Sequence, residues 1–426
     1  MKNKKWLTST NIKMRFLYTF AIHCYHFAIY CASWFNPKAK LWIDGRVNLF
    51  KDLKQKCINK NNIIWFHCAS LGEFEQGKPL MEKIKQENSD ITILVTFFSP
   101  SGYLIKKNDS VADIVSYLPI DTPKNVRKFI NIVNPKKVIF IKYEHWYNFM
   151  YALNQKNIPF YYISAIFREK QYFFKWYGSW FVSQLKQCSH FFVQDDQSVS
   201  LLHKIGISQV HQTGDTRFDR VFQIAKKPYD LPFVVQFKKD KKLLVAGSTW
   251  EPDEIVLERW FSQFHNSFKL IIAPHEINVN HILAIKEKFK SFQVICYSDM
   301  VDQNIEDFQI LIIDTIGMLS KIYKYSDYSY VGGAFGTGLH NILEAAVFGI
   351  PLFFGPKYQK FKEARDLVQL QGAFSLSDAN ELIQLISKFE SQHDAYDKTC
   401  NICKKYVFQN IGAVDLIYSQ IVTSSN

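Results

Sequence analysis

Acidic residues are scarce where this sequence begins. Across residues 1–60 only Asp44 and Asp52 stand against twelve Lys and Arg, so most of the chain's net charge of +13 lies in its first seventh. A basic segment of this kind attracts anionic surfaces: nucleic acid, phospholipid or a phosphorylated glycolipid. Long apolar runs are as scarce. Only "FLYTFAIHCYHFAIYCASWF", residues 16–35, goes twenty residues without Lys, Arg, Asp or Glu, which is enough to cross a bilayer as a helix. No A-x-A cleavage site follows it, which disfavours a cleaved signal peptide. No second cysteine pair accompanies the lone CxxC of Cys400 and Cys403, so the eight scattered cysteines read as unpaired cytosolic thiols. There is no GxGxxG with an acid about 20 residues on and no GxxxxGK[ST], which disfavours a standard dinucleotide site and a P-loop. Low-complexity tracts, short repeats and local Ser–His–Asp or Cys–His signatures are also missing.

What the chain does have is apolar side chains, 47% of its residues, enough for large cores at a length that suggests two domains. Residues 16–35 are diluted by His23, His26 and several Tyr. Lys2, Lys4, Lys5, Lys13 and Arg15 precede them, and Lys38, Lys40 and Arg46 follow. This pattern favours a helix lying in a membrane interface, with a single span or a core helix as the alternatives.

Short continuous runs rich in β-branched and aromatic residues then recur at 63–69, 91–98, 137–143, 159–167 and 190–195, separated by helical patterns such as 74–87 and 121–133. Such runs suit strands buried on both faces of a parallel sheet. Residues 221–242 break the rhythm with two prolines and a charge cluster. It restarts at 242–249, 268–275, 292–298, 309–314, 328–335 and 350–356. The expected fold is α/β: two Rossmann-like domains facing a cleft, preceded by a membrane-associated helix. The expected boundaries are an anchoring segment at 1–40, a first Rossmann-like domain at 41–220, a linker at 221–241, a second Rossmann-like domain at 242–405, and a helix at 406–426 packing back on the first domain.

Ligands of such sheets bind outside the carboxyl ends of the strands. In the first half, "WFHCASLGEFEQG" ends a strand, turns at Gly72 and presents Glu73 where a helix begins. A helix start favours the ionised carboxylate, whereas burial opposes it. The plain alternative is an ordinary helix-start Glu. In the second half, strands end at Gly247-Ser248-Thr249, at Pro274-His275, at "DTIGML" with Asp314 and Gly317, and at Gly332, Gly333, Gly336 and Gly338. The glycines allow close backbone approach. A helix expected to begin near His340 or Asn341 would offer its N–H groups to a phosphate, with Glu344 one turn in to receive sugar hydroxyls.

The run "GGAFGTGLHNILEAAVFGIPLFFGP" resembles the donor-nucleotide motif of the 3-deoxy-D-manno-octulosonic acid (Kdo) transferases of lipopolysaccharide synthesis, which read close to GGS…GGHNPLEPAAFG.PV..GP. The Glu73 stretch is similar to their HAVSVGE. "KYEHW" at 142–146 is similar to ETELW, "TGDTRFD" at 213–219 to TGNxKFD, "AGSTWEPDE" to AGSTHxGEE and "DTIGML" to DTxGEL. The matches keep the family's order over residues 12–380, and Gly45-Arg46 after the apolar segment fits as well.

The resemblance implies a GT-B glycosyltransferase that moves Kdo from CMP-Kdo to the lipid A precursor, lipid IVA, with inversion and with neither metal nor cofactor. No Asp-x-Asp pair, the usual metal-carrying motif of GT-A enzymes, occurs in the chain. It implies Glu73 as the base that takes the acceptor's proton. It implies Glu144 and Arg217 as support for the transition state. An ordinary ion pair is the alternative for these two. CMP contacts fall on Ser248, Thr249, Pro274, His275, Ile316, Gly317, Met318, Asn341, Ile342, Leu343 and Glu344. Ser99, Ser101 and Arg168 are candidates for the acceptor side. The partners implied are CMP-Kdo, the lipid A precursor and the anionic inner-membrane surface, on the cytoplasmic face of a bacterial inner membrane, with no nucleic acid.

The chain departs from the family pattern at three positions. His275 stands where APRHxER has Arg, Met318 where DTxGEL has Glu, and Ile342 where HNPLE has Pro. A histidine is a weaker phosphate partner than a bidentate Arg. Other classes open to this sequence are another GT-B nucleotide-sugar transferase, an epimerase, or a non-catalytic sugar-nucleotide-binding scaffold.

Overall fold

The computed structural model describes residues 9–301, 303–336 and 338–422. Lys2, Lys4, Lys5 and the outer ends of the expected 1–40 and 406–426 segments lie outside them. The chain divides into two compact units. The first runs to Arg220 and is completed from Ile411 onward, and the second is Val221–Asn410.

In the first unit the described residues form a parallel sheet of β1 (Ile63–Cys68), β2 (Thr92–Phe97), β3 (Ile114–Tyr117), β4 (Lys137–Ile141), β5 (Phe160–Ala165), β6 (His190–Val193) and β7 (Val210–Gln212). Their spatial order is β3-β2-β1-β4-β5-β6-β7. Successive side chains of a strand face opposite ways. Ile63 and Trp65 of β1 accordingly enter one apolar cluster with Phe129, Phe140 and Phe149, while Ile64, Phe66 and Cys68 enter another with Phe74, Val95 and Ile139. Val414, Ile417 and Ile421 of the helix Ala413–Val422 join that second cluster. Burying both faces is why these strands read as unbroken apolar runs.

The second unit repeats the plan with β8 (Lys242–Thr249), β9 (Phe268–Pro274), β10 (Val294–Cys296), β11 (Ile310–Ile312), β12 (Tyr328–Val331), β13 (Leu352–Phe354) and β14 (Ala373–Ser375), ordered β10-β11-β9-β8-β12-β13-β14 and parallel throughout. Three strands, β3, β7 and β14, have no counterpart among the runs picked out from sequence. Each is three or four residues long and ends its sheet. The stretch expected as a linker, 221–241, holds the end of the helix Thr216–Lys226 and the helix Pro232–Lys238, whose Val234 and Phe237 are buried.

The apolar segment forms the helix Ser9–Ala32. No helix of the described residues is long and apolar enough to cross a membrane. One face of this helix docks by polar contacts. Tyr18 donates its hydroxyl to Asp121 Oδ2 at 2.7 Å, Arg15 Nε donates to Asn148 Oδ1 at 2.8 Å, and Asn148 Nδ2 donates to Thr19 at 3.2 Å. Elsewhere Phe16, Phe20, Phe27, Trp34 and Phe35 are exposed. Asp121, buried, also receives the backbone N–H groups of Asn148 and Phe149 at 3.0 Å each, so it caps the helix Tyr147–Gln155 from outside that helix. Replacing Asp121 by Ala strands these donors. It is expected to lower unfolding free energy by about 2–3 kcal/mol in urea denaturation, and a loss under about 0.5 kcal/mol would contradict the role given to it.

Candidate active site

In the first sheet the strand order reverses between β1 and β4, which are paired neighbours. A doubly wound sheet opens a crevice at such a point. The chain leaving β1 forms the helix Leu71–Glu87, capped by Ser70, whose hydroxyl oxygen accepts from Glu73 N at 3.5 Å. The Glu73 carboxylate turns back to accept the Ala69 backbone N–H. The plain helix-start role weighed from sequence is therefore present. The surroundings add to it. Burial, and then the charge of Glu144, push the Glu73 carboxyl up to about 8, against the Ala69 N–H, Lys142 and the Ser70 N–H, which favour the ionised form. Of the two opposed effects expected at this turn, burial wins.

Glu144 follows β4. It lies just beyond Lys142, whose left-handed φ of 61° is uncommon for a residue with a side chain. Its Oε2 accepts the Trp146 indole N–H at 2.7 Å and is 3.0 Å from His67 Nε2. The Tyr162 hydroxyl donates to the Glu144 carbonyl at 3.0 Å, which fixes the loop from the neighbouring β5. Ser99 immediately precedes the helix Pro100–Lys106 after β2, and its hydroxyl is 2.7 Å from that of Ser101. Arg168, beyond β5, is exposed.

Arg217 grips the buried Asp215 with two nitrogens, Nε at 2.8 Å and Nη2 at 2.7 Å from Oδ2, and Gln76 Nε2 donates to Asp215 Oδ1 at 3.0 Å. Burial alone would raise the Asp215 carboxyl, but the Arg217 charge and N–H outweigh it and hold it below the usual range. The structure thus brings Glu73 and Glu144 into electrostatic contact and anchors Arg217 through Asp215.

The second sheet reverses between β8 and β12, again paired neighbours. Ser248 has a φ of 55° at the irregularity ending β8. Gly332 follows β12, and a Cβ there would come 2.4 Å from Ser248 O, so only glycine fits. Asp253 ties the two turns together. Its Oδ2 accepts the N–H groups of Trp250 and Gly333 at 2.9 Å each, and its Oδ1 accepts the Tyr330 hydroxyl at 2.9 Å. Thr249 donates to Glu254 at 3.1 Å and accepts the His275 N–H on its carbonyl at 3.0 Å. Pro274 ends β9. Ile316 is exposed, Gly317 has a φ of 93°, and Met318 opens the short helix Leu319–Ile322.

The helix expected from His340 or Asn341 is reduced to the four residues Leu343–Ala346, preceded by the buried Ile342 and stopped at Gly349, whose φ is 69°. A helix this short lacks the aligned dipole that a phosphate site at its start would use. Asn341 Nδ2 donates to Glu344 Oε1 at 3.0 Å. His275, which replaces the family's Arg, stacks on His340 with centroids 4.3 Å apart and on Trp250 at 4.9 Å. Burial lowers the pKa of both imidazoles, that of His340 to about 4, so near neutral pH the stack carries no positive charge.

Sequence reasoning missed His67, Trp146, Asp253 and His340. Each lies inside a motif already singled out, but the groups that reveal it come from elsewhere: Glu144 lies 77 residues from His67, His67 lies 79 from Trp146, Trp250 lies 90 from His340, and Asp253 serves backbone N–H groups. Among the described residues no group of three or more His, Cys, Asp or Glu could hold a metal ion.

Residues 43–220 match the family described as 3-deoxy-D-manno-octulosonic-acid transferase (kdotransferase). The chain is 28% identical over 366 residues to the 3-deoxy-D-manno-octulosonic acid transferase of Haemophilus influenzae, covering 82% of this chain and 84% of that one. It is 26% identical over 346 residues to the Aquifex aeolicus enzyme of the same name, covering 79% and 89%. It also matches a bifunctional glycosyltransferase/methyltransferase of Fusobacterium nucleatum at 26% identity, using 84% of this chain but spanning only 57% of that protein's length. In fold it is similar to the UDP-GlcNAc 2-epimerase of Neisseria meningitidis bound to UDP-GlcNAc, with a TM-score of 0.60 and 15% identity over 85% of this chain and 99% of that one. A glycosyltransferase of Rickettsia africae gives a TM-score of 0.57 and 14% identity over 86% and 100%. The resemblance read from the motifs is borne out, and each unit is the parallel-sheet α/β domain expected.

The raised Glu73 carboxyl has a consequence for stability. Between the usual carboxylate range and about pH 8 the folded state binds a proton that the unfolded state has released, so this group's contribution to stability falls as pH rises. Glu73→Gln removes that dependence. Its Tm relative to wild type is expected to climb from about pH 5 and level off above about pH 8 in parallel thermal melts. A pH-independent gap would contradict the raised value.

Proposed function

We propose that this chain, which carries the Kdo transferase domain over residues 43–220 and resembles Kdo transferases over most of its length, transfers Kdo from CMP-Kdo to the lipid A precursor, lipid IVA, with inversion. Glu73 takes the proton of an acceptor hydroxyl. The oxygen forms its bond to the anomeric carbon of Kdo, and the bond from that carbon to the CMP phosphate breaks, its electron pair leaving on the phosphate. The observation that carries this reading is the buried Glu73 carboxyl, pushed up to about 8 at the reversal point of its sheet. A base in that range is partly ionised near neutral pH and accepts a proton far more readily than an ordinary carboxylate.

Glu144, beside the base, supports the transition state. Arg217, held by Asp215, supports the charge growing on the departing phosphate. In the second unit, the turns of Ser248-Thr249, Pro274-His275, Ile316-Gly317-Met318 and Asn341-Ile342-Leu343-Glu344 hold CMP. Ser99, Ser101 and Arg168 serve the acceptor. The scheme requires neither metal nor cofactor. The exposed aromatic residues of the helix Ser9–Ala32, with the basic residues around it, support attachment to the anionic cytoplasmic face of an inner membrane.

Incubation with CMP-Kdo and lipid A precursor in detergent is expected to yield a Kdo-bearing product, with kcat of Glu73→Gln lower by about 10²-fold or more. Absence of transfer by the wild type would overturn the substrates. Near-normal turnover by Glu73→Gln would overturn the base.

A further inference from the structure

His67 lies in β1, six residues before Glu73, and its side chain is wholly buried. A histidine facing the core among Trp65, Phe140 and Trp146 would ordinarily cost stability, and nothing in the scheme above uses it. Its ring is nevertheless held at both nitrogens. Nδ1 is 3.1 Å from the Thr96 carbonyl oxygen and 2.9 Å from Thr96 Oγ1, and Nε2 is 3.0 Å from Glu144 Oε2. Thr96 Oγ1 is itself fixed by the indole N–H of Trp65 at 2.7 Å.

The possible hydrogen positions can be enumerated. If Nδ1 accepts from the Thr96 hydroxyl, Nε2 carries the ring hydrogen and donates it to Glu144. If Nδ1 donates to the Thr96 carbonyl, a neutral ring would aim a bare Nε2 at a carboxylate oxygen 3.0 Å away, two lone pairs face to face out of water. Such a contact needs a doubly protonated ring, a hydrogen supplied by the carboxyl, or the Trp146 indole N–H, 3.2 Å from Nε2, shared between the two acceptors. Trp146 Nε1 is nearer to Oε2, at 2.7 Å, than to Nε2, at 3.2 Å, so its hydrogen goes chiefly to the carboxylate, and the 3.0 Å contact favours a further hydrogen between Nε2 and Oε2. Trp146, whose Nε1 is 2.7 Å from the same oxygen, adds a second hydrogen bond.

We propose that His67 is a positioning residue. The hydrogen it shares with Glu144, together with the Trp146 N–H, fixes the Glu144 carboxylate in place against Glu73 and so sets how readily Glu73 gains and loses its proton. This rests on the reading of Glu73 as the base. The other ionisable groups around the pair are Cys68 on the same strand, Glu75 on the helix after it, and Lys142 and His145 on the loop after β4. Of these, Lys142 acts on Glu73 in the sense opposite to Glu144. Without the shared hydrogen, the Glu144 carboxylate has one donor fewer and is free to move away from Glu73, so that its charge bears on Glu73 less.

The test has two arms. In ¹⁵N-histidine-labelled wild-type protein at pH 8, with His67→Gln used for assignment, the His67 resonances are expected to show a hydrogen at Nε2 or one shared with an acceptor there. A bare, unshared Nε2 overturns the proposal without reference to turnover. In the transfer assay, His67→Phe is expected to lower kcat about tenfold or more, leave KM for CMP-Kdo within about twofold, and move the acid limb of the kcat–pH profile down by about one unit. His67→Gln, whose amide N–H can still reach Glu144, is expected to recover most of that loss. A folded His67→Phe with wild-type kcat and an unmoved acid limb overturns the proposal, as does a folded His67→Gln that is no better than His67→Phe. Failure of the wild type to transfer Kdo would instead strike at the proposed reaction, leaving the first arm to decide the role of His67.

Discussion

Two carboxylates in electrostatic contact, Glu73 buried and Glu144 partly so, are the constraint on which the first unit's candidate site turns. Burial and mutual repulsion both penalise charge at Glu73. The protein sustains this because neither group is held by a flexible chain alone. Glu73 is locked to the backbone N–H of Ala69 at the start of a capped helix, and Glu144 to the Trp146 indole and to His67. Both follow strands whose side chains are packed on each face of the sheet. A carboxyl that would be ionised in water at neutral pH thereby holds its proton up to about pH 8.

The second unit uses the same topological position differently. At its own reversal point it presents mainly backbone, bare of side chains at Gly332 and Gly333, with Asp253 joining the turns after β8 and β12. Bare backbone suits close approach by a ligand, whereas a pair of carboxylates suits proton transfer. Each sheet also places a non-glycine residue in the left-handed region at its reversal point, Lys142 in one and Ser248 in the other. Strain of this kind persists where the surrounding structure fixes the turn.

Much of this was legible in the residues, for identifiable reasons. Central strands such as 63–68 and 268–274 are buried on both faces and announce themselves as apolar runs. The edge strand 210–212 has two exposed residues in three and gives no such signal. Glu73 was visible because a glycine and a helix start flank it. Its relation to Glu144 was not, because 71 residues separate the two and only the strand order makes β1 and β4 neighbours. The helix expected after His340 failed because Gly349 ends it after one turn. The stack of Trp250, His275 and His340 joins three separate turns and has no local signature.

The claim that burial and a charged neighbour make Glu73 a base is open to direct titration. In ¹³C-glutamate-labelled protein, the Glu73 carboxyl, assigned by its absence from Glu73→Gln, is predicted to titrate near 8 in the wild type. In Glu144→Gln it should titrate lower, though still above the usual carboxylate range because burial persists. A Glu73 carboxyl that titrates in the ordinary range in wild type, or that ignores the loss of Glu144, would contradict the account.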